Sequence, residues 1–172
     1  MNPIYKRRWA VTVRPAHLGD AEAVRAIRNH AVEHSTALWT DTPQSPAEGA
    51  AWLAAHIERG SAFVADVDGE VAGFAVYGPW RELDGYRHTV EDSVYVRDGR
   101  HGLGIGSALL AALVTAAREA GHHVVVAGIE AENTASIRLH ERFGFRHAGT
   151  LTEVGTKFGR RLDLTLMRLA LN

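Results

Sequence analysis

The sequence predicts one mixed α/β domain with elements in the order βααβββαβαββ. Three observations carry this. Apolar residues switch repeatedly between alternating and helical spacing along the chain. The pair Asp68-Gly69 separates two apolar runs, the mark of a tight hairpin. A glycine-rich stretch, Gly102 to Gly106, stands between a strand pattern and a long helical one. With 172 residues, 46% hydrophobic and 23% charged, the composition is that of an ordinary soluble globular domain with a single core. No repeat, linker or low-complexity tract divides it. Residues 1–10 read as a flexible N-terminal segment and 11–172 as the domain.

The elements follow in order. Val11 and Val13 alternate with polar residues as a short strand. From Leu18 to about Glu33, Val24, Ile27 and Ala31 share one helix face, with Asp20 and Glu22 at the positive end. Ser45-Pro46-Ala47-Glu48 starts a second helix, with Ser as cap, Pro at the first position and Glu at the third; Gly60 stops it. Strands at 62–67 and 71–76 flank the Asp-Gly turn, and a longer strand runs from His88 to Arg97. Ile105, Leu109, Ala112, Leu113 and Ala116 form one face of a helix that ends at Gly121. Val124-Val125-Val126 begins a buried strand. Asn133 caps a helix to Phe143. Two strands close the chain, about 145–154 and 161–171. In the last, Leu162, Leu164 and Leu166 keep one phase but Met167, Leu169 and Leu171 take the other, which predicts a bulge or burial on both faces.

Several function classes are excluded early. Lys and Arg number 19 against 20 Asp and Glu, so the basic excess of nucleic-acid binders is missing. Cysteine is absent, which removes disulfides, thiolate metal ligands and thiol nucleophiles. The basic start is followed by no apolar stretch of a secretory signal, and no apolar run approaches the roughly 20 residues of a membrane span. A cytoplasmic domain is expected. His30 and His34 have the spacing of two ligands on one helix face, but no acidic partner accompanies them, so no metal is expected.

The segment richest in chemistry is Ser93-Val94-Tyr95-Val96, a loop, then Gly102-Leu103-Gly104-Ile105-Gly106-Ser107 opening a helix. Glycines let backbone approach a bulky anion, and successive amides at a helix N-terminus can hold phosphate oxygens. The dinucleotide pattern G-x-G-x-x-G fails, since Ser107 and Leu109 stand at its closing positions. No Gly-Lys-Ser/Thr follows, so it is no P-loop.

His101-Gly102-Leu103-Gly104-Ile105-Gly106 resembles the pyrophosphate loop of the GCN5-related N-acetyltransferases (GNAT), with His101 where the family carries Gln or Arg. Further stretches resemble the phosphinothricin and methionine sulfoximine/sulfone acetyltransferase subfamily: Tyr77 to Arg81, Gly85 to Glu91, Ser93 to Val96, Asn133 to Glu141, Phe143 to Phe145 and Val154 to Arg160. The likeness covers about Val11 to Leu169. It implies a mostly antiparallel sheet with splayed central strands, a bulge in the strand before the loop, and flanking helices. It implies acetyl-CoA as co-substrate and a small-molecule primary amine as acceptor, in a homodimer. Backbone groups of Val94, Tyr95 and Val96 would meet the pantetheine arm. The loop from His101 to Ser107 would hold the pyrophosphate, and Asn133 with Ser136 would close on the same arm.

An alkylammonium has a pKa near that of Lys, about 10, so transfer at neutral pH needs a base. Glu91 is the candidate: it stands three residues before Val94, and strand alternation puts it on one face with Thr89 and Ser93 and puts Asp92 on the other. The subfamily has Glu at the matching position. His140 is the second candidate, as the acid for the thiolate or as a residue that orients the cofactor. Arg81 is the candidate anchor for the acceptor's carboxylate. Tyr86 and Arg87 are weaker alternatives, and Ser93 and Asp92 join the acceptor side. Asp92 stands where subfamily members often carry His or an apolar residue. Trp39 and Trp80 are expected in core packing before a pocket wall. Two other readings stay open: acetylation of protein N-termini or lysines on the same fold, and a CoA-binding sensor without catalysis.

Overall fold

A computed structural model describes residues 10–172. Residues 1–9, most of the expected flexible segment, lie outside the described residues. The strands are β1 (Val11–Pro15), β2 (Ala62–Val67), β3 (Glu70–Pro79), β4 (Thr89–Val96), β5 (Val124–Glu130), β6 (Arg146–Lys157) and β7 (Arg160–Ala170). The helices are α1 (Ala21–His34), α2 (Pro46–Glu58), α3 (Ile105–Glu119) and α4 (Thr134–Arg142). The expected order βααβββαβαββ is the observed one. The first helix begins later than its sequence pattern, because Leu18–Asp20 forms a separate 3-10 turn.

Local chemistry explains these boundaries. At the start of α2, Ser45 accepts from the Glu48 amide at 3.2 Å and Glu48 accepts from the Ser45 amide at 2.7 Å. Asp68 and Gly69 both have positive φ, the geometry of a two-residue hairpin turn whose twist suits the flanking strands. Asn133 caps α4 by accepting from the Ser136 amide at 3.2 Å.

The strands form one sheet in the order β1-β2-β3-β4-β5-β7-β6, antiparallel throughout except between β4 and β5. Alternation along the strands feeds two cores. On one face Ala75, Tyr77, Val90 and Val125 pack with Ile105, Leu109, Leu110 and Leu113 of α3. On the other, Val64, Phe74 and Val76 pack with Val24 and Ile27 of α1 and Leu53 of α2. Each such leucine, fully buried, contributes about 1.5–3 kcal/mol.

The phase change expected in the last strand is real, but its bulges lie in β6. Register slips occur between His147 and Gly149 and between Leu151 and Gly155. Opposite the second slip, Asp163 of β7 turns its carboxylate to the Glu153 amide at 2.7 Å. Burial on β7 passes there from Leu162 to Thr165 and Met167.

Candidate active site

The site grows from the one parallel pairing. β4 meets β5 only at Thr89, Val90 and Glu91, opposite Val124, Val125 and Val126. β5 stays paired with β7 along its whole length, so past Glu91 it leaves β4 and a gap opens. The expected splay is thus present. The expected bulge in β4 is not: β4 pairs with β3 in unbroken register from Val90 to Val96. Divergence alone opens the gap.

Parity decides which backbone groups face it. The Arg97 amide donates to Ala72 and the Thr89 carbonyl accepts from Trp80, so odd residues of β4 turn toward β3. The His88 carbonyl accepts from His123, so even residues turn toward β5. The amides and carbonyls of Val94 and Val96 therefore point into the gap, where an extended arm can pair with them as an added strand.

A groove of about 470 Å3 continues from the gap, lined by Val94, Tyr95, Val96, His101, Gly102, Gly104, Ile105, Gly106, Ser107, Asn133 and Ser136. All but one of the expected cofactor residues thus converge. The exception is Leu103, which packs onto the core. Gly102 and Gly104 have φ of 78° and 82°, and a Cβ on either would meet nothing within 4 Å. Side chains there would be strained and would fill a cradle at the N-terminus of α3, a partially positive end of a 15-residue helix. Gly106 has another reason: a Cβ would press on Leu139 of α4 at 3.3 Å. Asn133 spends its Oδ1 on the helix cap, so its Nδ2 is the group it offers a ligand. The donor set fits a pyrophosphate joined to an amide-bearing arm.

The groove also includes Ile27, His30, Ala31 and His34 from α1, and Asp98 and Arg142, which were not expected there. The spacing of His30 and His34 did place both on one helix face, with ring centroids 4.6 Å apart, but that face is a groove wall. Arg142 carried no signal, because only the folded chain brings the end of α4 to the loop.

Glu91 stands where the gap begins. It pairs in register with Gly78, over which His56 of α2 sits 3.6 Å from the Cβ position, so Glu91 faces the α1/α2 side. Its surface is open, yet protein crowds the carboxyl: a Cβ on Gly128 of β5 would lie 3.1 Å from Oε1. That desolvation first, and the charge of Asp92 second, hold its pKa above the usual carboxylate value, while Arg81 pulls it back.

Asp92 and His140 are brought together on the opposite face. His140 Nε2 lies 2.7 Å from Asp92 Oδ2, with both side chains under 5% exposed. His140 Nδ1 donates to the Ser136 carbonyl at 2.8 Å, and the ring meets Phe145 edge-on. Burial works against the charged ring, but the hydrogen bond and charge of Asp92, with the Ser136 carbonyl, raise its pKa. The pair lines a second cavity of about 70 Å3 in the gap, with Ser93, Val94, Gly128 and Asn133.

The acceptor-side loop is arranged differently from expectation in part. Arg81 lies over the Trp80 ring at 4.8 Å, and Tyr86 meets the same ring edge-on at 5.2 Å. Arg87 turns back to the Asp84 carbonyl at 3.0 Å and supports its own turn. Neither Trp80 nor Trp39 joins the two apolar cores. Trp39 lies flat on Gly155 of β6, where a Cβ would collide with its ring, and donates to Thr36 at 2.8 Å.

Known proteins share this arrangement. The acetyltransferase (GNAT) family model matches residues 24–145. An L-methionine sulfoximine/L-methionine sulfone acetyltransferase of Pseudomonas aeruginosa is 47% identical over 165 residues, 95% of this chain and 96% of that protein. A phosphinothricin N-acetyltransferase of Streptomyces coelicolor is 40% identical, over 90% and 92% of the two chains. An acetyltransferase of Salmonella typhimurium, solved with its cofactor acetyl-CoA, superposes with a TM-score of 0.92 at 45% identity, covering 95% of each chain. With the splayed strands, the glycine cradle and these relatives in agreement, the chain belongs to the GNAT family and is an acetyl-CoA-dependent N-acetyltransferase.

Proposed function

We propose that the acceptor is the α-amine of a small amino acid of the methionine sulfoximine, methionine sulfone or phosphinothricin type, with Glu91 as the general base. The observation that carries this is the Glu91 carboxyl at the mouth of the gap, its proton affinity raised by its surroundings. The names of the relatives supply the acceptor class. Bound acetyl-CoA supplies an activated thioester. Val94 and Val96 hold its arm by backbone pairing, the amides from Gly102 to Ser107 hold its phosphates, and Asn133 and Ser136 close the groove. Glu91 takes one ammonium proton and exposes the nitrogen lone pair, which bonds to the acetyl carbonyl carbon as the C–S bond breaks; CoA leaves as the thiol, its sulfur taking the second nitrogen proton. Arg81, whose charge reaches Glu91, holds the acceptor's carboxylate. His140 positions the wall of the gap: the Ser136 carbonyl and Asp92 already accept both its ring protons, which favours this over an acid role.

A thiol-release assay with acetyl-CoA tests the reading. Methionine sulfone, methionine sulfoximine and phosphinothricin should release CoA thiol well above common amino acids, polyamines and an acceptor peptide. A peptide preferred over every free amino acid would replace this acceptor. We further infer a homodimer formed through β6, an edge strand exposing Leu151 and Val154 beside Phe158 of the closing turn. Sedimentation should then give twice the chain mass. We place the enzyme in the cytoplasm with its acetyl-CoA supply; among the described residues no helix is long and apolar enough to cross a membrane.

A further inference from the structure

Arg28 is the side chain the proposed chemistry leaves unused. It stands on α1 with its guanidinium 5.9 Å from the centre of the Trp52 ring on α2. Its Nη1 is buried and has no hydrogen-bond partner among the described residues. No described carboxylate pairs with it, whereas Arg14 and Arg25 each do have acidic partners. A buried donor without an acceptor is costly, and an arginine fork is shaped for two oxygens of one group.

Its surroundings connect it to Glu91. Trp52 meets His56 one turn along α2 at 4.7 Å, and His56 covers Gly78, the residue paired with Glu91. Trp52 also meets Phe74, which stacks on Tyr95 at 5.1 Å. Glu91, Ser93 and Tyr95 share this face of β4 by alternation. Tyr95 lines both cavities, and its hydroxyl lies within electrostatic reach of Arg28 and of Glu91. A chain of ring contacts, running through the buried Phe74, therefore links the face of β4 that carries the proposed base to Arg28, whose Nη1 is unsatisfied.

We propose that Arg28 determines acceptor specificity by binding a sulfonyl, sulfoximine or phosphinate oxygen at the end of the acceptor's side chain, while the amine lies at Glu91. This rests on the amino-acid reading above and narrows it to acceptors with a tetrahedral oxo group. Arg81 and Arg28 then hold the two oxygen-bearing ends of one acceptor.

The test compares wild type with Arg28→Met and Arg28→Lys on methionine sulfone, phosphinothricin, methionine and norleucine, with melting temperature and acetyl-CoA affinity measured for each. Arg28→Met should lower kcat/KM about 10–150-fold for methionine sulfone and phosphinothricin, mostly through KM. It should change methionine and norleucine less than about threefold. Arg28→Lys, charged but without the fork, should recover part of the loss for phosphinothricin and less for the uncharged sulfone. Equal losses on all four acceptors, or none on the oxo acceptors, would overturn the subsite. A wild-type enzyme inactive on every free amino acid would instead overturn the acceptor reading, and the subsite with it.

Discussion

At the scale of single residues, the site rests on one carboxyl and one backbone turn. Because Glu91 binds its proton more tightly than an ordinary carboxylate, the acid limb of kcat/KM should lie above the usual Glu value of about 4.3. Below that limb Glu91 is protonated and cannot accept from the ammonium. Glu91→Gln should leave acetyl-CoA affinity nearly intact, lower kcat by about 10²–10⁴ and remove that limb. The defect should shrink as pH nears the acceptor's own pKa, where free amine no longer needs a base. A kcat/KM near wild type at pH 7 would move the base elsewhere. At Gly104, φ of 82° and open space above the backbone make the opposite kind of prediction. Gly104→Val should raise KM for acetyl-CoA far more than for the amine; unchanged acetyl-CoA binding by calorimetry in the folded variant would refute the phosphate cradle.

At the scale of elements, the segment between α1 and α2 is fastened by β6. Lys157 is 1% exposed, and its ammonium donates to the carbonyls of Ser35 and Leu38 at 2.6 Å each and of Ala31 at 3.3 Å. It finishes the C-terminal turn of α1, where a cation is favoured, and anchors the strip carrying Ala37, which borders both cavities. Burial lowers its pKa, with Asp41 opposing. Lys157→Met would strand the Ser35 and Leu38 carbonyls at about 1–3 kcal/mol apiece, while Ala31 keeps the Ser35 amide and hydroxyl, so a loss of at least about 2 kcal/mol is expected. That is roughly 4–8 °C in melting temperature for a domain of this size. An unchanged melting curve would show that the strip holds itself.

At the scale of the whole molecule, the buried Asp92–His140 pair ties the central sheet to α4 across the gap and links stability to pH. The folded pKa of His140 is raised above the unfolded value of about 6.5. Its contribution is therefore full below about pH 6.5 and is lost as pH climbs through the raised value. Asp92→Asn should abolish this. The stability difference between wild type and variant, measured by denaturant titration, should be largest at acid pH and narrow upward. A difference constant from pH 6 to 9 would mean that the ring is neutral in the native protein.

Much of this was legible in the chain because its signals are local. Element order, the α2 capping box, the Asp68-Gly69 turn and the glycine cradle each depend on neighbours within a few residues, where propensity and sterics act directly. Strand alternation likewise separates Glu91 from Asp92 without reference to the fold. What only the tertiary structure decided are long-range matters. Asp92 reaches His140 across 48 residues, and Lys157 reaches Ser35 across 122. The gap comes from β5 following β7 instead of from a bulge in β4. Arg28 carries no signal in the sequence; only packing buries one of its nitrogens without a partner. Burial and pairing belong to the assembled chain, since the cost of an unsatisfied charge exists only once water has been excluded.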